Sequence, residues 1–267
     1  MNSTPIEKHL LELTKKTISD DTESKGRGKT IHATSITGKC VRKPYYGLTE
    51  EEVPIDYESS AVFKVGRMVH SGIQLSEEKN EYKMGGNIRN MTPIDSKRIT
   101  IVNFFDCITG TADDILDING ELVIVDKKTI SAVTKNSVDK FFNIPPNEKK
   151  PPVFLWMPKE ASEDYVFQLN EYKLLYFIKH GIEIKKGAII YLEMSTRFRE
   201  PMVFEIDLLP IEEIRKQVIE KLDKLKLGVE TKTPPDRYID WHCRYCLFAK
   251  TVCHPEQVDN YAELVKR

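Results

Sequence analysis

Long apolar runs are missing from this chain of 267 residues. No stretch approaches the roughly 20 residues that a membrane-spanning helix requires. The opening residues MNSTPIEKHLLELTKK lack the apolar centre of a secretory leader. The expectation is an intracellular, cytoplasmic protein with no membrane partner. An excess of one charge sign is also missing. Forty Lys+Arg face 41 Asp+Glu, a net charge of −1, so a polyanion would have to be met by a local patch. Cysteine is scarce and odd in number, five in all, which argues against a disulfide framework. With 40% hydrophobic and 30% charged residues the composition excludes a collagen-like or wholly disordered chain. The length allows one large domain or two small ones, with a core that needs no disulfides.

What is present is unevenly distributed. Between Lys25 and Lys43 the chain carries Lys25, Arg27, Lys29, Lys39, Arg42 and Lys43 and no acid. This run is either a solvated arm or a contact for phosphates. Residues 1–30 read as a weakly ordered N-terminal arm, with a short amphipathic helix on Ile6, Leu10 and Leu13 and a linker DDTESKGRGK. Residues 31–267 read as one globular domain. Three of the five cysteines cluster as Cys243-x2-Cys246-x6-Cys253, a density that points to a metal or iron–sulfur site. Cys40 and His254 are the candidates for a fourth ligand, and Cys107 reads as a buried apolar residue.

The most informative stretch is GTADDILDINGELVIVDKKT, residues 110–129. Asn119-Gly120 between two apolar runs is a hairpin signal. With a two-residue loop, Ile118 pairs with Glu121 and paired positions sum to 239. Asp113 then falls opposite Asp126, and Lys128 shares the face of Asp126 because side chains alternate along a strand. Asp114 turns to the other face. Two like charges directly opposite destabilise a sheet, and burying them unpaired costs several kcal/mol each. Either a divalent cation lies between them, or the face is exposed and the acids pair with lysines.

Elsewhere the periodicity predicts a helix over residues 58–80 that contains His70. Residues 135–163, with IPPNEKKPP, form a long loop. A helix follows from Glu163 to His180, stopped by Gly181, and it carries Gln168 and Tyr172 four apart on one face. Two strands, GAIIYLEMST and MVFEIDLL, precede a last helix over residues 211–227. The order predicts an α/β domain whose mixed central sheet is flanked by helices.

Together these residues resemble the RecB-like nucleases of the PD-(D/E)xK superfamily. Within it the chain is most similar to the CRISPR-associated exonuclease family that carries a four-cysteine iron–sulfur cluster. GRMVH, ending at His70, looks like the G-x-x-x-H motif. GTADDIL supplies the acid Asp113, VDKKT supplies D-x-K as Asp126 and Lys128, and QLNEY matches Q-x-x-x-Y at Gln168 and Tyr172. Cys40 in CVRKPYY looks like the lone upstream cysteine. The last cysteine gap, the long loop and the N-terminal arm depart from the pattern, and viral and phage nucleases are similar too.

The resemblance implies a PD-(D/E)xK restriction-endonuclease-like core with a four-cysteine iron–sulfur module. It implies a hydrolase, a Mg²⁺- or Mn²⁺-dependent deoxyribonuclease. Its substrate would be single-stranded DNA or DNA with single-stranded ends, cut as an exonuclease with some endonuclease activity. The role would be CRISPR spacer acquisition and antiviral defence, or viral or phage DNA processing. Asp113, Asp126, the Lys127 carbonyl and His70 would hold the ion. Asp113, Asp126 and Lys128 would be catalytic, and Gln168 and Tyr172 would contact DNA. Cys40, Cys243, Cys246 and Cys253 would hold a [4Fe–4S] cluster, closing a loop of about 200 residues and stabilising the fold as a cross-link does. Zinc accepts the same four thiolates, so spacing alone leaves the metal open. A CRISPR integrase or a helicase is the implied partner, and a catalytically weak adaptor that holds DNA ends for either is the alternative function.

Overall fold

The computed structural model describes residues 30–50, 82–95, 99–100, 103–130, 160–193, 201–240, 242–243, 246–257 and 260–261, with isolated positions at 66, 68, 73 and 75. The N-terminal arm, almost all of the predicted 58–80 helix with His70, and nearly all of the 135–163 loop lie outside the described residues.

The described chain is a mixed α/β structure. Strand β1 (Ile31–His32) leads into the short helix α1 (Ala33–Ile36) and then α2 (Arg42–Thr49). Next come β2 (Tyr82–Asn87), β3 (Thr92–Pro93), β4 (Cys107–Ala112), β5 (Asp114–Ile118) and β6 (Glu121–Ile130). Helix α3 (Glu163–His180), strands β7 (Lys186–Glu193) and β8 (Met202–Asp207) and helix α4 (Ile211–Thr231) complete it, ahead of a short π turn over Ala249–Cys253.

The strands form two four-stranded mixed sheets, β1-β4-β2-β3 and β5-β6-β7-β8, where the sequence suggested one central sheet. The division falls at Asp113, the single residue between β4 and β5. There the chain leaves one sheet and enters the other. Helix α3 packs against strands of both sheets and joins them through a shared core of Ile108, Ile124, Leu169, Leu174, Leu175 and Ile189, all fully buried.

Several local expectations hold. The β5–β6 pairing runs from Asp114↔Val125 to Ile118↔Glu121, so paired positions do sum to 239. Asn119 (φ 57°) and Gly120 (φ 86°) both take the left-handed conformation that this tight turn demands. Asp117 reinforces it by accepting the Gly120 N–H at 2.7 Å. Helix α3 has the predicted bounds. It begins after Ser162, carries Glu163 and Asp164 in its first turn and Lys179 and His180 in its last, and stops at Gly181 (φ 69°). Helix α4 buries Ile211, Ile214, Val218, Leu222 and Leu225, the 3–4 spacing of one core-facing stripe. It runs one turn beyond the expected Leu227. Gly228 lets the following chain fold back over it: a Cβ there would lie 3.0 Å from Pro235 Cδ. Among the described residues, no helix is long and apolar enough to cross a membrane.

Candidate active site

The site is assembled at the point where the chain changes sheets. Along β6, alternation places Ile124, Asp126 and Lys128 on one face and Val125 and Lys127 on the other. Asp126 is buried and Lys128 half-buried. Their Oδ2 and Nζ atoms are 2.8 Å apart. Burial pulls the Lys128 ammonium towards neutrality, but Asp126, with Tyr165 and Asp113 behind it, holds its pKa above the ordinary lysine value.

Asp113 lies one residue beyond the last β5–β6 pair. Its Oδ2 accepts the Lys127 backbone N–H at 2.8 Å, so a side chain continues the ladder where the main chain turns away into β4. Asp114 goes to the opposite face, as pairing parity requires. There its Oδ2 is 2.9 Å from Lys127 Nζ, and both side chains are buried. Lys127 Nζ also donates to the Ile73 carbonyl at 2.6 Å. The hairpin thus carries two acid–lysine pairs on opposite faces. One is closed into the core, and the other faces α3.

Helix α3 supplies the remaining groups. Lys128 Nζ donates to Gln168 Oε1 at 3.1 Å, and Gln168 Nε2 donates to the Tyr172 hydroxyl. Both side chains are buried. Burial, and then the charges of Asp126 and Asp113, push the Tyr172 phenol well above its ordinary pKa, so it stays protonated. Tyr172 comes this close to β4 because position 110 is glycine. A Cβ there would lie 3.0 Å from Tyr172 Cε1 and 3.1 Å from Leu175 Cδ1.

Two site neighbours escaped the sequence reading. The Tyr165 ring lies 4.7 Å from Lys128 Nζ, and its spacing three residues before Gln168 was the available signal. Tyr191 pairs with Lys128 across the parallel β6–β7 ladder and accepts the Ser162 N–H through its hydroxyl at 3.1 Å. No local pattern announces that contact. His70 lies outside the described residues.

The remote cysteines come together elsewhere. Cys40, Cys243, Cys246 and Cys253 line one small pocket with Tyr46 and Phe248. All four are free thiols. Burial raises the pKa of Cys243 and of Cys253, and the charge of Cys40 acts on both. The Cys107 thiol is fully buried, and burial pushes its pKa up to about 11. His254 turns its Nδ1 to Glu256 Oε1 at 3.1 Å. Among the described residues, no group of three or more His, Cys, Asp or Glu side chains is arranged to hold a metal ion.

No protein-family model matches the chain, and no curated protein matches it. Among solved structures the fold is similar to "Crystal structure of SSO0001", with a TM-score of 0.53 and 18% identity over 94% of this chain and 98% of that one. At that identity the likeness speaks for the fold alone.

Proposed function

We propose that this chain is a metal-dependent deoxyribonuclease of the RecB-like type, acting on single-stranded DNA or on single-stranded ends. One observation carries the reading. Asp126, Lys128, Gln168 and Tyr172, drawn from a strand and a helix, form one chain of contacts, and Asp113 at the sheet junction joins that strand through the Lys127 N–H. A fold that merely needed a core would not bury this set at the meeting of two sheets, because each desolvated charge costs stability.

The donor chemistry fits a hard divalent cation, with the carboxylates of Asp113 and Asp126 and the main-chain carbonyl of the residue after Asp126. Asp113, Asp126, the Lys127 carbonyl and His70 would hold Mg²⁺ or Mn²⁺. The ion when bound supplies an acidified water and neutralises charge on the phosphate. Lys128, kept protonated by Asp126, places a positive charge beside the scissile phosphate and orients the attacking water. Gln168 fixes the Lys128 ammonium through its carbonyl oxygen. Tyr172, held protonated, offers a hydroxyl that positions the strand. At the second location the donor set suits a soft metal centre, with four thiols around one pocket. Cys40, Cys243, Cys246 and Cys253 would hold a [4Fe–4S] cluster that ties the start of the domain to its end.

The test is cleavage of labelled single-stranded DNA by the purified protein. Activity with Mn²⁺ or Mg²⁺, its loss in EDTA, and its loss in folded Asp126→Ala protein are expected. Full activity in Asp126→Ala protein would overturn the site. A wild-type protein that binds DNA ends but never cuts would favour the adaptor function.

A further inference from the structure

A cavity of about 390 Å³ lies beside the end of α4, away from the carboxylates. Its walls include Lys39, Lys224 and Arg237, with Val41, Pro235 and Tyr238 among the apolar and aromatic surfaces. Its shape is built in. Gly228 admits Pro235 against the helix, and Arg42 Nε holds the Pro235 carbonyl at 2.6 Å. The last α4 carbonyls would repel an anion, but Lys232 N–H caps that of Val229 and Thr233 N–H that of Gly228.

Three cations against one acid, Asp236, line this cavity in a protein whose net charge is only −1. Lys39 Nζ stands 5.8 Å from the centre of the Tyr238 ring, and Tyr238 is 41% exposed. Positive charge flanking an exposed aromatic ring is the pairing that single-stranded nucleic acid requires, phosphate on cation and base on ring. The volume falls in the range of small-ligand sites. Lys39 also pairs with Glu163 Oε2 at 2.6 Å, which fastens the cavity to the first turn of α3. Gln168 stands about 7.5 Å further along that helix axis.

We infer that this cavity is an accessory subsite for a nucleotide of a single-stranded DNA chain, with the phosphate on Lys224 and Arg237 and the base against Tyr238. The inference rests on the nuclease reading and deepens it, since it gives the substrate a second hold outside the reacting centre.

The test reads binding without cleavage. Full-length protein purified anaerobically is titrated into a labelled 20-nucleotide oligothymidylate in EDTA, by fluorescence anisotropy at several KCl concentrations. Lys224→Ala and the double variant Lys224→Ala, Arg237→Ala are expected to bind several-fold and more than tenfold more weakly. Their log–log salt slopes should fall by about 0.7 for each phosphate no longer neutralised. Tyr238→Ala should weaken binding about tenfold, and Lys224→Arg should keep wild-type affinity. Lys224 is exposed on α4, so its variants report on binding while thermal melting confirms the fold. A folded double variant with wild-type affinity and slope overturns the subsite, as does a wild-type protein that binds no oligothymidylate. Release of the oligonucleotide from the wild type by polyglutamate, with equal release from the double variant, also overturns it. The nuclease reading fails separately: no cleavage in Mn²⁺ by a wild type whose binding still depends on Lys224 and Tyr238 removes the enzyme and leaves the subsite.

Discussion

The Asp113 carboxylate accepts the backbone N–H of Lys127 at 2.8 Å, whereas the adjacent Asp114 carboxylate meets the Lys127 side chain at 2.9 Å. Two neighbouring acids therefore grip the same residue from its main chain and from its ammonium. The charge of the first acts on both Lys128 and Tyr172.

This difference separates two substitutions that look alike in sequence. Asp113→Ala should fold and lose cleavage by orders of magnitude. Asp114→Ala leaves a buried lysine without its carboxylate, so it should cost about 3–5 kcal/mol of stability. Urea denaturation and cleavage rate per folded molecule separate the two. The reverse pattern would reassign the site acid to Asp114.

Lys128 and its helix partner give a second pair of outcomes. Lys128→Met should lower cleavage by about 10²–10³-fold, the usual cost of removing one group that stabilises transition-state charge. Because Asp126 holds the Lys128 pKa above its ordinary value, the wild-type rate should show no loss from deprotonation of Lys128 between pH 7 and 9. Gly110→Ala should also lower cleavage, through displacement of Tyr172, with a stability cost of about 1–3 kcal/mol. Wild-type rates in either variant would count against the arrangement.

Glu171, on the same helix as Gln168 and Tyr172, predicts a pH dependence of stability. It is fully buried, and its Oε2 accepts the Thr37 hydroxyl at 2.7 Å. Burial pushes its pKa up to about 8, against the pull of Thr37 and Lys221. The folded protein therefore keeps a proton that the unfolded chain releases near its ordinary value of 4.5. Stability should fall as pH rises from about 4.5 to about 8 and then lose this dependence. Lys221, lowered mainly by burial, acts with the opposite sign on the alkaline side. Glu171→Gln should flatten the acid-to-neutral slope and melt higher than the wild type at pH 8. Parallel melting curves for the two proteins across that range would contradict this.

The cysteine pocket predicts colour. Protein purified without oxygen should be brown, with about four irons per chain. Cys40→Ser should lower the melting temperature of the whole domain and not merely loosen the tail, because Cys40 joins α1–α2 to the pocket of Cys243, Cys246 and Cys253. Stoichiometric zinc in colourless, oxygen-free protein would replace the iron–sulfur assignment. An unchanged melting temperature in Cys40→Ser would remove Cys40 from the ligand set.

Sequence alone sufficed wherever the deciding forces are local. Asn119-Gly120 sets the hairpin register because only a left-handed turn joins the strands, and that register separates Asp113 from Asp114. Gly181 stops α3, and the four-residue spacing of Gln168 and Tyr172 puts them on one side of it. The stripe on α4 is legible for the same reason, although its last turn depends on Gly228 meeting Pro235. What tertiary structure alone decided are the contacts that close long loops. These include the division into two sheets at Asp113, the parallel β6–β7 ladder that sets Tyr191 beside Lys128, the docking of Gln168 onto the hairpin and the gathering of Cys40 with three cysteines about 200 residues away. Their partners are chosen by which buried faces fit together across the core, and no spacing within a short window encodes that choice.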